Sequence, residues 1–177
     1  MGNVIVVGAG AAGLMSASSA AMNGAIVVLL EKMSSVGRKI LITGKGRCNF
    51  TNRCDLSEFP AYYPGNGAFL YSALRAFSNQ DVIDFFVAHG VASKVERGGR
   101  LFPESDKAGD IVKALLQAAR QAGVRILTDC EVRSINTDGV GVSGVVMAGA
   151  KKMPADAVIL ATGGLSYPAT GSTGDGF

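Results

Sequence analysis

The chain has 177 residues, 48% of them apolar and 18% charged, with a formal net charge of +3. That suits one domain, or one domain with a small insertion, and it is enough chain to bury a real core. The weak, scattered positive charge does not argue for a nucleic-acid surface, no apolar run approaches the ~20 residues of a membrane span, and the N-terminus lacks the basic start of a signal peptide. Three cysteines (Cys48, Cys54, Cys130) without a C-x-x-C argue against a disulfide scaffold and a dithiol centre, so a reducing cytoplasm is the natural setting.

The segment from Asn3 to Gly13 reads as an apolar strand running directly into G-x-G-x-x-G at Gly8, Gly10 and Gly13. A helix follows, then a second apolar strand, Ala25 to Leu30, ending on Glu31. Strand, helix and strand in this order are expected of a parallel sheet. In that setting the glycines form a dinucleotide-binding fingerprint. Gly8 allows the tight turn, Gly10 admits a pyrophosphate close to the backbone, and Gly13 lets helix and strand pack. The free N–H groups and positive dipole end of the helix suit phosphate, and Glu31 stands near the spacing at which a carboxylate accepts from a ribose.

Residues 33–67 are rich in Gly, Asn, Arg, Tyr and Pro and show little periodicity, which marks a functional loop. Ser78 and Asp81 form a capping box for a helix with Val82, Phe85 and Phe86 on one face, ended by Gly90. Val91 to Phe102 reads as a hairpin turning at Gly98-Gly99. Ala108 to Ala122 is an amphipathic helix with Ile111, Val112, Leu115, Leu116 and Ala119 as its buried stripe, stopped by Gly123. Val124 to Leu127 is a further sheet strand. Alternating strands near 130–136 and 140–147, with a short third near Lys152, form a meander. Ala157 to Leu160 returns to the sheet as a continuous apolar run. The glycine-rich end beyond Ala161 has no closing helix, so the chain reads as the N-terminal piece of a longer protein.

Between Gly37 and Asn49 stand four cations, Arg38, Lys39, Lys45 and Arg47, among flexible glycines, suited to a pyrophosphate or a flavin edge. A P-loop does not fit, because Lys39 and Gly46 stand where glycine and Ser or Thr are needed. A second G-x-G-x-x-G at Gly139, Gly141 and Gly144 follows polar residues and reads as a hairpin turn. The segment Ala161 to Pro168 follows the returning strand, on the side where ligands of such sheets sit. Asp175, among glycines, offers a carboxylate to a polyol. His89 reads as a packed histidine at the end of its helix. Cys48 is either a buried small hydrophobe or a thiol facing a flavin. Phe59, Tyr62 and Tyr63 read as loop packing.

Taken together, VIVVGAGAAGLMSA, LLEK, GRKILITGKGRCNFTN, ERGGRLFPESDKAGDIVKAL and ILATGGLSYPATGSTGDGF resemble the BaiN/YhiN-like NAD(P)/FAD-dependent oxidoreductases, some labelled aminoacetone oxidase-like. The β-meander between the last core strands is likewise similar to glutathione-reductase-type FAD domains. The resemblance implies an α/β, Rossmann-like FAD-binding domain with a parallel sheet and meander. It spans residues 1–177, with a helical and hairpin insertion near 56–106, and a substrate-side domain and return segment are expected beyond it. It also implies that Gly8, Gly10, Ala11, Ala12, Gly13, Glu31 and Lys32 hold the pyrophosphate and adenosine, with Arg38 and Lys39 beside them. Thr43, Gly44, Gly46, Arg47, Cys48 and Asn49 would run along the flavin, and Val132 would offer its backbone to adenine. Thr162, Gly163, Gly164 and Asp175 would contact the ribityl-pyrophosphate. The expected function is oxidoreduction with hydride transfer through flavin N5, NAD(P)H as possible electron donor and an unidentified small molecule as substrate. No residue stands out as catalytic acid or base, no metal site is expected, and no nucleic-acid or membrane partner. An NAD-only dehydrogenase, a non-catalytic flavin-binding or redox-sensing module and an FAD-dependent RNA-modifying protein are the alternatives.

Overall fold

A computed structural model describes residues 1–176; Phe177, the last residue of the glycine-rich tail, lies outside the described residues. The elements in chain order begin with β1 (Asn3–Val7), α1 (Ala11–Met22), β2 (Ile26–Leu30), α2 (Arg38–Ile42) and β3 (Thr51–Asn52). Then come α3 (Tyr71–Ala76), α4 (Asn79–Ala88), β4 (Ser93–Glu96), β5 (Arg100–Pro103) and α5 (Ala108–Gln121). The chain closes with β6 (Arg125–Leu127), β7 (Val132–Thr137), β8 (Val142–Met147), β9 (Lys152–Pro154) and β10 (Ala157–Leu160). It divides into two compact units, Met1–Leu41 with Leu115–Phe177, and Ile42–Ala114.

The first unit is built on a parallel sheet in the order β10-β1-β2-β6. Parallel strands buried on both faces call for continuous apolar runs, which Val4–Val7 and Val27–Leu30 supply, while the apolar run Ala157–Leu160 lies at the sheet edge with Leu160 51% exposed. Successive side chains alternate between the faces. Ile5, Val7 and Leu30 turn to one face and form a core with Val145, Met147 and Ala155 of the antiparallel β7-β8-β9 meander segment. Val6 and Leu29 turn the other way and are fully buried, on the side where α1, which packs on β1 and β2, buries Leu14 and Ala17. The α/β architecture with parallel sheet and meander expected from the sequence is the one observed. The second glycine motif is a hairpin turn, with the Asp138 carboxylate accepting from Val140 N and Gly141 N at 2.9 Å each.

In the second unit β3, β5 and β4 form an antiparallel sheet around the buried Leu101 and Phe102. The rings of Phe50 and Phe86 meet edge to face at a centroid distance of 5.0 Å. The Ser78 capping box forms as read, with both reciprocal bonds present. His89 caps the end of α4, its Nδ1 lying 2.7 Å from the Phe85 carbonyl oxygen, a structural role. The segment read as one long loop contains short helical turns, and α3 was not legible in the sequence. One expectation fails here: Tyr62 and Tyr63 do not pack but stand 72% and 44% exposed. The loop closes instead backbone to backbone, since a Cβ at Gly67 would run into the Pro60 carbonyl, and that leaves the rings outside.

Candidate functional site

The carboxyl ends of β1, β2 and β10 converge on the fingerprint turn. Gly8 N donates to Leu30 O and Ala161 N to Val7 O, both at 2.8 Å, which stitches the three strand ends together. Gly8 adopts φ +100, and a Cβ there would lie 2.6 Å from the Ala161 carbonyl oxygen. A Cβ on Gly13 would strike the Gly8 carbonyl oxygen. Both positions therefore need glycine for the protein's own packing.

Gly10 differs. Its φ of −80° and ψ of −169° suit any residue, and a Cβ there would meet no protein atom within 4 Å. Nothing inside the described protein calls for glycine at this position. Gly10 is the N-cap of α1 and gives no side-chain cap, and the first turn holds no acidic residue. The first-turn N–H groups thus lie beside exposed Ala11 and Ala12, with the positive end of a 12-residue helix behind them.

Glu31 has a local task as well. Its Oε2 accepts from Ala9 N at 2.8 Å and its Oε1 from Met33 N at 2.9 Å. A carboxylate has about four lone-pair sites, so capacity for two hydroxyl donors remains after these bonds. Arg38 sits at the start of α2 with its Nη2 donating to Ala169 O at 3.3 Å. Its Nε is buried and has no partner among the described residues, and such a donor calls for an acceptor.

The other cations of this unit reach the glycine-rich tail. Lys32 Nζ lies 2.5 Å from both Thr173 Oγ1 and Asp175 Oδ2. Lys39 Nζ donates to Ser166 Oγ at 2.8 Å and to Ser172 Oγ at 3.2 Å. The Lys32 hydrogen bond, with that of Thr173, holds the Asp175 carboxyl below its ordinary range. Thr162 and Gly163 follow β10, where Thr162 passes close to Gly8 and Gly163 to Ser172, with Gly164 next in the chain. Val132 opens β7 opposite Met147 and packs half-buried against the meander core. Ser166, Ser172 and Thr173 are not among the residues expected from the sequence, where their one signal is hydroxyls clustered among glycines.

The second unit holds the remaining predicted residues, Thr43, Gly44, Gly46, Arg47, Cys48 and Asn49, in one tight turn. Gly44, Lys45, Gly46 and Cys48 all have positive φ, and Cys48 N closes the turn on Thr43 O at 3.0 Å. Gly44 lies against Phe102, since a Cβ there would come within 3.1 Å of its ring. The Arg47 guanidinium stacks 4.2 Å above that ring centroid. It also grips Glu96 through Nη1 at 2.6 Å and Nη2 at 3.3 Å, and reaches Asp106 at 3.4 Å. Lys94 holds Asp106 from the other side at 2.5 Å, and its hydrogen bond is the main cause that keeps this carboxyl low. The Asn49 amide, oriented with its nitrogen toward the carbonyls, donates to Leu101 O and Thr51 O at 3.1 and 3.0 Å. Burial pushes the Cys48 thiol up, against a smaller opposing hydrogen bond from Thr43.

Among the described residues no cluster of His, Cys, Asp and Glu is arranged to hold a metal ion, and no helix is long and apolar enough to cross a membrane. Fold and site together define a Rossmann-type nucleotide-binding domain. Residues 2–177 match the HI0933-like protein Rossmann domain. The chain belongs to that family. It is 34% identical over 179 residues to the 3-dehydro-bile acid delta(4,6)-reductase of Clostridium scindens, covering 100% of this chain and 42% of that protein. It is 35% identical over 175 residues to the ribosomal RNA dihydrouridine synthase of Escherichia coli, covering 99% and 42% respectively. The chain thus spans less than half the length of these curated relatives. Among solved structures, the 3-ketosteroid-delta4-(5alpha)-dehydrogenase of Rhodococcus jostii RHA1 shares the fold, with a TM-score of 0.70, 20% identity, and coverage of 94% of this chain and 46% of that one.

Proposed function

We propose that this chain is the FAD-binding portion of a cytoplasmic NAD(P)/FAD-dependent oxidoreductase that acts on a small molecule. The observation that carries the cofactor reading is Gly10, a glycine that neither its backbone angles nor its neighbours require, at the open N-terminus of α1. A pyrophosphate fits that space, accepting from the N–H groups of Ala11, Ala12 and Gly13. The unpartnered Arg38 Nε adds a donor for the same charge. Glu31 takes the adenosine ribose hydroxyls with its remaining lone pairs, and Val132 offers backbone to adenine. Thr162, Gly163, Gly164 and Asp175 line the ribityl side, and the Thr43–Asn49 turn serves the flavin.

Bound FAD supplies two-electron chemistry, hydride passing through flavin N5 after reduction by NAD(P)H. The protein's part is to seat it, neutralise its phosphates and exclude water. The names of the two relatives both denote saturation of a carbon–carbon double bond, and that supports a reductase acting on an alkene conjugated to a carbonyl. The 35% identity to a ribosomal RNA dihydrouridine synthase favours a second reading, in which the alkene is a pyrimidine in RNA. The small net charge of +3 favours the first.

The test is a visible spectrum of the full-length protein incubated with FAD or FMN and then desalted. Retention of FAD with a perturbed flavin band and loss of FMN is expected, and a colourless protein overturns the reading. NADPH oxidation with a conjugated enone or with unmodified ribosomal RNA then separates the two substrates.

A further inference from the structure

The tail after β10 is gripped by side chains from the segment after β2, and the grip is specific. Lys39 spends two of its three donors on Ser166 and Ser172. Lys32 spends two on Thr173 and Asp175, and those two are themselves joined by a 2.7 Å hydrogen bond. Between these anchors Arg38 holds Ala169 O. The tail meets its clamp at very close range. A Cβ on Gly171 would lie 3.1 Å from Met33 Cγ and 3.6 Å from Lys32 Cε, and one on Gly163 would lie 3.0 Å from Ser172 Oγ. Ser172 is one of the few buried polar residues, at 7% exposure. The tail also carries its own turn, with Tyr167 at φ 59 and Gly171 at φ 97 bracketing a helical turn over Pro168–Thr170.

We propose that Lys32 and Lys39 are positioning residues that hold Ser166–Asp175 as a strap beside the nucleotide cradle, and that they act on FAD through this strap rather than by touching its phosphates. The proposal rests on the FAD reading above. The strap joins the carboxyl end of β10 to that of β2, on either side of the fingerprint turn in β1, so fixing it shapes the cradle before the cofactor arrives. A pre-ordered loop reduces the entropy that binding would otherwise lose. Of the three cations between positions 32 and 39, Arg38 alone keeps a buried donor without a partner, and it remains the direct phosphate ligand.

The experiment uses the full-length protein and three variants: Lys39→Met, Ser166→Ala/Ser172→Ala, and their combination. Amide exchange of the peptide covering 165–176 is followed in the apo-protein, and FAD affinity by flavin fluorescence. Lys39→Met and the double serine variant should each speed exchange across the strap and weaken FAD by about tenfold, the scale of a lost charge-assisted hydrogen bond. Their combination should lose no more than either alone, as coupled sites do. Two results overturn the proposal. One is Lys39→Met weakening FAD with strap exchange unchanged; the other is a loss that adds in full to that of the serine variant, since both mean the ammonium touches the cofactor. A wild-type protein that retains no FAD overturns the cradle reading itself, and with it the strap's role, even where the exchange pattern is as expected.

Discussion

Replacing Gly10 by alanine separates the ligand's demands from those of the fold. The backbone at φ −80° and ψ −169° accepts alanine, and the added Cβ meets no protein atom within 4 Å. Alanine is a poorer N-cap than glycine, a cost of roughly 0.5–1 kcal/mol, while stiffening the unfolded chain returns roughly 0.4–1 kcal/mol. The apo-protein should therefore melt within about 3 °C of wild type. Binding is another matter. The methyl group stands where a pyrophosphate seated on the first turn of α1 must lie, and lifting it off two N–H donors forfeits charge-assisted bonds of about 1.5–3 kcal/mol each. The smaller value for both gives about 3 kcal/mol, or roughly a hundredfold in Kd. Gly13→Ala is the contrast, because its Cβ collides with the Gly8 carbonyl and the apo melting temperature itself should fall. Differential scanning fluorimetry of the apo-proteins and flavin fluorescence titration read the two effects. A Gly10→Ala protein that binds FAD within about threefold of wild type refutes the argument that the space over Gly10 belongs to the cofactor.

Leu14→Ala removes a fully buried side chain from the face of α1 that packs on the sheet. It should cost about 2–5 kcal/mol, seen as a lower urea midpoint with an unchanged slope; an unaltered midpoint would mean α1 is not docked as described. Cys48, buried and with its thiol pushed up by that burial, should react with iodoacetamide at pH 8 far more slowly than in urea; equal rates by peptide mass spectrometry would contradict its burial. Asp175 is held low by Lys32 and Thr173. Because its folded pKa is depressed, its contribution is complete above the ordinary carboxylate value, about 3.9, and is lost as pH falls through the lower folded value. Proteolysis of the 165–176 strap should therefore stay constant from neutral pH down to about pH 4 and rise only below it; loosening between pH 5 and 7 would point to another group.

Much of the fold was legible because parallel strands and amphipathic helices leave strong local patterns. The apolar runs of β1 and β2 and the stripe of α5 follow from where their side chains are buried. What no local pattern carries is which strand neighbours which. That β10 lies beside β1 in the register Val6↔Ile159 is decided by the closing of the sheet across most of the chain. The element α3 escaped because Leu70 before it gives no side-chain cap and none of its residues is buried, so it has neither a start signal nor an apolar stripe. The exposed Tyr62 misled for the opposite reason: an aromatic residue suggests packing wherever it stands, and only the tertiary path of the loop shows the ring to be outside.

The site divides along the same line. Spacing announced the Gly8, Gly10 and Gly13 cradle and Glu31, because a turn and a helix start are local events. It could not announce that Lys39 meets Ser166, 127 positions away, or that Lys32 meets Asp175 across 143. A cation in a sequence is a charge without an address, and the topology supplies the address. The three fingerprint glycines are also unlike one another in a way the motif conceals. Gly8 and Gly13 are required by carbonyl oxygens of the protein itself, so their presence says only that strand and helix pack closely. Any βα turn of this tightness would need both. Gly10 answers to nothing among the described residues, and for that reason it alone among the three speaks for a ligand.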